Sequence, residues 1–149
     1  MGDARRIVSG GHDNSLRVWT VSDSGALSLE FIFKGAHEEL LSSVAASPDG
    51  RWAASVGHDK RVIVRSAASD WAETQRFESA SANSCVTFAH DSRSFVVGGL
   101  GPNLQLFTLS DDAQWAHQRD IPTSLPYVRR FPANCKLNYI ALKGRCGCV

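Results

Sequence analysis

The sequence predicts an all-β chain assembled from repeated four-stranded sheets. Three observations predict it. A unit of about 40–45 residues recurs along the 149 residues. Each unit divides into short apolar runs separated by turns rich in Gly, Pro and Asp. No stretch reads as an amphipathic helix.

The repeat is seen first in Gly11-His12-Asp13, which returns 46 residues later as Gly57-His58-Asp59. The match extends both ways without a gap. Arg5 to Thr20 (RRIVSGGHDNSLRVWT) aligns with Arg51 to Ser66 (RWAASVGHDKRVIVRS). A further 42 residues on, Arg93 to Thr108 (RSFVVGGLGPNLQLFT) aligns again. Upstream of these cores, Ala46-Ser47-Pro48-Asp49-Gly50 corresponds to Phe88-Ala89-His90-Asp91-Ser92, and after 43 more residues to Phe131-Pro132-Ala133-Asn134-Cys135.

The best-preserved unit shows the elements in order. Leu41 to Ala46 is an extended run ending at the turn Ser47-Pro48-Asp49-Gly50. There Pro fixes φ and Gly allows a positive φ. Trp52 to Val56 is a second strand of small and apolar residues, followed by the turn Gly57-His58-Asp59-Lys60. Val62-Ile63-Val64 is a third strand whose continuous apolar run suits burial on both faces. After a polar link, Gln75-Arg76-Phe77 is a weaker fourth strand, with Leu29 to Phe33 as its counterpart one unit earlier. Four strands per unit at this period predict the blades of a β-propeller. The whole chain, 1–149, reads as one partial propeller with units at about 5–34, 35–78, 79–120 and 121–149. That is three to four blades, the first and last incomplete, whereas propellers close with 4–8. Open blade faces predict a chain that associates, or one completed by further blades or by another chain.

Composition excludes several classes. Hydrophobic residues are 43% and charged residues 21%, too apolar for a disordered chain. The net charge of +1 gives no strong field toward nucleic acid or membrane. No apolar run is long enough for a transmembrane helix. Met1 to Arg6 lacks the apolar core of a signal peptide. Cys85, Cys135, Cys146 and Cys148 do not form a secreted disulfide framework. An intracellular location is expected, nuclear or nucleolar, with cytoplasm as the alternative.

His12-Asp13 and His58-Asp59 recur at one place in the repeat, the tight turn, so each pair reads as turn structure rather than a catalytic dyad. Cys146-x-Cys148, with Cys135 and His117, has the wrong spacing for zinc. No metal, cofactor or catalytic residue is expected. Gly147 stands where a prenylation signal needs an aliphatic residue. Arg129, Arg130, Lys136, Lys143 and Arg145 lie in a stretch without acidic residues. They read either as a solvated strand edge or as an RNA or partner contact. Trp52, Phe95, Phe88 and Phe131 are expected in the core, and Trp71 and Trp115 over blade edges.

The segment from Gly35-Ala36-His37 to Ser66 resembles the WD-repeat (WD40) family, and the resemblance covers about residues 5–142. It implies a structural hydrogen-bond network within each blade. The matching positions are His37, Ser55, Asp59 and Arg65 in the second unit, where Arg65 stands in place of the family's Trp. The first unit offers Ser9, Asp13 and Trp19. In the third, Ser79 replaces His, Val97 replaces Ser, Gly101 or Leu100 stands near the Asp turn, and Phe107 replaces Trp.

The resemblance implies a non-catalytic scaffold that binds other proteins in a larger assembly, without membrane contact. A narrower similarity points to WD-repeat proteins of the nucleolar small-subunit processome, which acts in ribosomal RNA processing. It rests on a regular Ser-Pro-Asp-Gly blade followed by a degenerate one, and on Phe107-Thr108-Leu109 leading through Trp115 to Leu125 and a blade opening near Arg130-Phe131-Pro132. The alternatives are a signalling or chromatin adaptor, or a propeller that contacts RNA through its basic C-terminal segment.

Overall fold

A computed structural model describes residues 5–123. Eleven strands form three antiparallel sheets. The first holds β1 (Arg5–Gly10), β2 (Leu16–Val21) and β3 (Leu27–Phe33) in that order. The second holds β4 (Leu41–Ala46), β5 (Trp52–Gly57), β6 (Arg61–Ser66) and β7 (Glu73–Glu78). The third holds β8 (Asn83–Phe88), β9 (Ser94–Gly99), β10 (Asn103–Leu109) and β11 (Trp115–Pro122). The sheets are the blades of an open, incomplete propeller, as the repeat predicts. β1 is the counterpart of the second strands β5 and β9. Most of the unit assigned to 121–149 lies outside the described residues.

The strand sequences explain the stacking. β5 (WAASVG) is buried along its whole length. Its side chains alternate between two faces. Trp52, Ala54 and Val56 join Val62, Val64, Phe95, Val97, Phe107 and Trp115 in a core shared with the third sheet. Ala53 faces the other way, into a second core with Leu16, Val18, Ala36, Leu41 and Trp71. Small residues on β5 let both neighbours approach. Gly57 ends the strand where a Cβ would come within 2.8 Å of the His37 Nδ1 and the Leu40 carbonyl.

The turns follow their chemistry. Gly50 has φ +71°, and the Ser47 hydroxyl accepts a 2.9 Å hydrogen bond from the Trp52 N–H. In the third sheet the same place is held by Ser92, also at positive φ. Its hydroxyl accepts from the Asp49 N–H at 3.0 Å, which ties two sheets together. Asn14 and Lys60, one unit apart, both close their turns in the left-handed region.

Two local features add to the sequence reading. The link after β6 contains one turn of 3₁₀ helix, Ala67–Ser69, capped by the Ser66 hydroxyl. Trp115 opens β11, pairing with Leu109 in the ladder. Trp71, at φ +60°, stays outside β7. Both indoles are almost fully buried, as expected of edge-covering tryptophans.

The first sheet leaves apolar surface open. Ile7, Leu27, Leu29 and Ile32 are 40–59% exposed. Exposed apolar area of this kind favours association. The 149-residue chain is therefore expected to bind a hydrophobic dye and to sediment above monomer mass at micromolar concentration. Ile7→Ser with Leu29→Ser is expected to reduce both signals. A dye-free monodisperse monomer would contradict this.

Candidate functional site

The polar centre of the second unit is built from three elements. His37 sits on the link between β3 and β4, Ser55 on β5, and Asp59 in the β5–β6 turn. The His37 Nδ1 lies 3.0 Å from both Asp59 carboxylate oxygens. A carboxylate can only accept, so Nδ1 carries the proton. The Nε2 atom lies 2.9 Å from the Ser55 hydroxyl. The backbone N–H groups of Glu38 and Arg61 donate to Asp59, each at 3.1 Å. Burial pushes the Asp59 carboxyl up. The bonds from His37, Arg61 and Glu38 more than offset it and hold the group below its ordinary value.

This connectivity, Ser to His to Asp, is that of a hydrolase triad. Burial decides against that chemistry. The His37 side chain is 0% exposed and that of Asp59 3%, and Ser55 is 1% exposed. A nucleophile must reach a substrate, and this serine is sealed between sheets. The arrangement ties the link, a strand and a turn into one unit. His58, which neighbours Asp59 in sequence, is exposed on the turn, and so is His12.

The first unit keeps half of the network. The Trp19 Nε1–H donates to the Ser9 hydroxyl at 2.9 Å. Asp13 instead accepts from Arg17 at 2.6 Å and from the Ser15 N–H at 3.2 Å. The Arg17 bond leads in holding its carboxyl down at about 2. The Asn14 side-chain carbonyl accepts from the Leu41 N–H at 3.3 Å and so joins this turn to β4.

In the second unit Arg65 occupies the place of Trp19. It does not reach Ser55 by any hydrogen bond among the described residues. One guanidinium N–H donates to the Trp71 carbonyl at 3.1 Å, Glu73 lies 4.0 Å away, and the group covers the Phe33 ring at 4.3 Å. Its Nε is buried with no partner among the described residues. Burial lowers its pKa, with Glu73 opposing and Arg76 adding to the effect. An orphaned N–H on a buried cation is costly. Arg65→Trp gives Ser55 an indole donor and removes that orphan. It is expected to stabilise the chain by about 1 kcal/mol, read as a higher urea midpoint; a lower midpoint would refute the assignment.

The third unit has no such network. The Ser79 hydroxyl donates to Gln105 Oε1 at 3.0 Å. Val97 is fully buried, and Phe107 stacks on Phe95 at 4.7 Å. Packing of rings has replaced the polar ties. Arg129, Arg130, Lys136, Lys143 and Arg145 lie outside the described residues, as do Cys135, Cys146 and Cys148. His117 pairs with Asp120 at 2.9 Å.

Sequence reasoning missed the ties between units. The Gln75 side chain accepts from the Trp115 N–H at 2.6 Å and donates to the Trp115 carbonyl at 2.9 Å. It acts as a side-chain substitute for one more ladder pair. Gln75 sits on the weakest strand of the repeat and has no polar counterpart at Leu29, so nothing in the pattern singled it out.

Residues 2–20 and 28–66 match the family described as WD domain, G-beta repeat. The first two units are similar to WD repeats. The match covers the two units that keep polar network residues and stops before the third, which has lost them. A search of the curated proteins found no match. WD repeats act as non-catalytic scaffolds for protein–protein interaction, and the sealed WD network here agrees with that role. No helix among the described residues is long and apolar enough to cross a membrane.

Proposed function

We propose that this WD-repeat chain is a protein-interaction scaffold of the nucleolar small-subunit processome. The observation that carries the scaffold part is the division of labour within the units. The Ser55–His37–Asp59 centre is sealed, whereas the turns are open. Gly11, His12, Leu40, Ser42, His58 and Leu100 line a groove of about 500 Å³ where turns of all three sheets meet. Leu40 and Leu100 are 36% and 51% exposed there. Apolar groups rimmed by polar turns suit a protein partner.

The processome part rests on the sequence alone. A regular blade followed by a degenerate one, then Phe107-Thr108-Leu109 leading through Trp115, is similar to the C-terminal propeller of cirhin. A fluorescent fusion of the chain is expected to concentrate in nucleoli and to co-purify with the U3 small nucleolar RNA. Diffuse cytoplasmic signal without U3 would overturn the assignment and favour a signalling adaptor. Direct RNA contact is a second reading, favoured by the acid-free run that holds Arg129 and Arg130. Charge reversal at both is then expected to flatten the salt dependence of RNA binding.

A further inference from the structure

The third unit has lost three of the side chains that fill the polar centre of the second. His37 is replaced by Ser79, Ser55 by Val97 and Asp59 by Gly101. Two of these exchanges remove bulk beside the link that leads into β8. The space is not refilled. A cleft of about 450 Å³ opens there, between the end of β7 and the face of β10 and β11. That volume suits a small ligand or one long side chain.

The walls define what fits. Phe77 and Phe107, ring centroids 5.0 Å apart, give an apolar side. Several of the polar groups are acceptors, beside the amides of Asn103 and Gln105. Asn83 is 1% exposed. Its amide N–H donates to the Arg61 carbonyl at 3.3 Å, while its side-chain carbonyl has no donor among the described residues. Ser79 spends its proton on Gln105 and keeps lone pairs free. Glu78 lies at the mouth with no ion pair among the described residues. Asp120 adds a second carboxylate, shared with His117. Of the remaining lining charges, Arg76 is held by Glu73 at 2.8 Å.

We infer that this cleft receives an arginine side chain presented by a partner protein. The arginine stem lies along the aromatic side, and the guanidinium supplies five N–H donors to Asn83, Ser79 and Glu78. Lysine, with a compact ammonium, satisfies fewer of these separated acceptors. An acidic side chain meets Glu78 and Asp120 and is repelled. The inference rests on the protein-interaction reading, so its test uses an isolated probe and not a partner.

Saturation-transfer NMR on the full 149-residue chain, with N-acetyl-arginine amide as probe, tests it. The expected result is saturable transfer to the arginine methylenes, weaker transfer to N-acetyl-lysine amide and none to N-acetyl-glutamate amide. Glu78→Gln, at an exposed position, keeps the fold and is expected to weaken binding about ten-fold, the loss of one charge-assisted contact. The triple variant Ser79→His, Ser81→Ala, Gly101→Asp refills the cleft; Ser81 is trimmed because a Cβ at Gly101 meets its hydroxyl at 2.9 Å. It is expected to abolish transfer. No saturable transfer, equal transfer to the glutamate probe, or binding indifferent to Glu78→Gln would each overturn the site. Loss of nucleolar location would refute the processome reading and leave this result untouched.

Discussion

Trp115→Ala is expected to destabilise the chain by about 3–5 kcal/mol, the usual cost of deleting a buried aromatic. Trp115 is 2% exposed and lies at the meeting of two sheets. Its ring meets Trp52 edge-on at 5.7 Å, Phe88 at 5.7 Å and Phe95 at 4.9 Å. Trp52 comes from the second sheet and the other two from the third, so this side chain packs across the joint. The indole Nε1–H has no partner among the described residues. The loss is therefore one of packing, not of a hydrogen bond, and the surrounding rings cannot close the space. Trp115→Phe restores part of the volume without an orphaned donor and should recover more than half of the loss. Urea denaturation with matched slopes measures both variants. A loss below 1 kcal/mol for Trp115→Ala would show that the joint is carried elsewhere, for which the Gln75 bonds to the Trp115 backbone are the first candidate.

The three-sheet plan was legible in the sequence because each device that makes it is local. The turns at Ser47 to Gly50 and Gly57 to Lys60 are set by residues within four positions of one another. The apolar runs of β5 and β6 follow from burial on both faces. The Ser55–His37–Asp59 ties were legible through family resemblance, since residues 18 and 22 apart meet only once the link is folded over the strand. The joints between sheets were not legible. Gln75 with Trp115 spans 40 residues, and Asp49 with Ser92 spans 43. Neither pair has a chemistry of its own that spacing could reveal. The cleft beside Ser79 was half legible: the exchanges were visible, but whether neighbours collapse into freed space depends on packing.

Asp59→Ala is expected to cost about 2–3 kcal/mol, because it strips the acceptor from the buried His37 ring and from two backbone N–H groups at once. Three donors lose their acceptor at once: the His37 ring and the N–H groups of Glu38 and Arg61. The first unit supplies the control. Asp13 occupies the same turn position, yet its side chain is 53% exposed and its ion pair with Arg17 faces water. Exposed pairs of this kind contribute little, so Asp13→Ala should cost well under half as much. The pH dependence follows from the direction of the Asp59 shift. Its carboxyl titrates lower in the fold than in the open chain. Its contribution is therefore complete above about pH 4, the unfolded value, and is lost as pH falls through the folded one. Wild-type stability should fall with acid below about pH 4, and Asp59→Asn should show a shallower fall over that range. Equal acid slopes for wild type and Asp59→Asn, or an Asp59→Ala midpoint unchanged from wild type, would refute the structural role of this carboxylate.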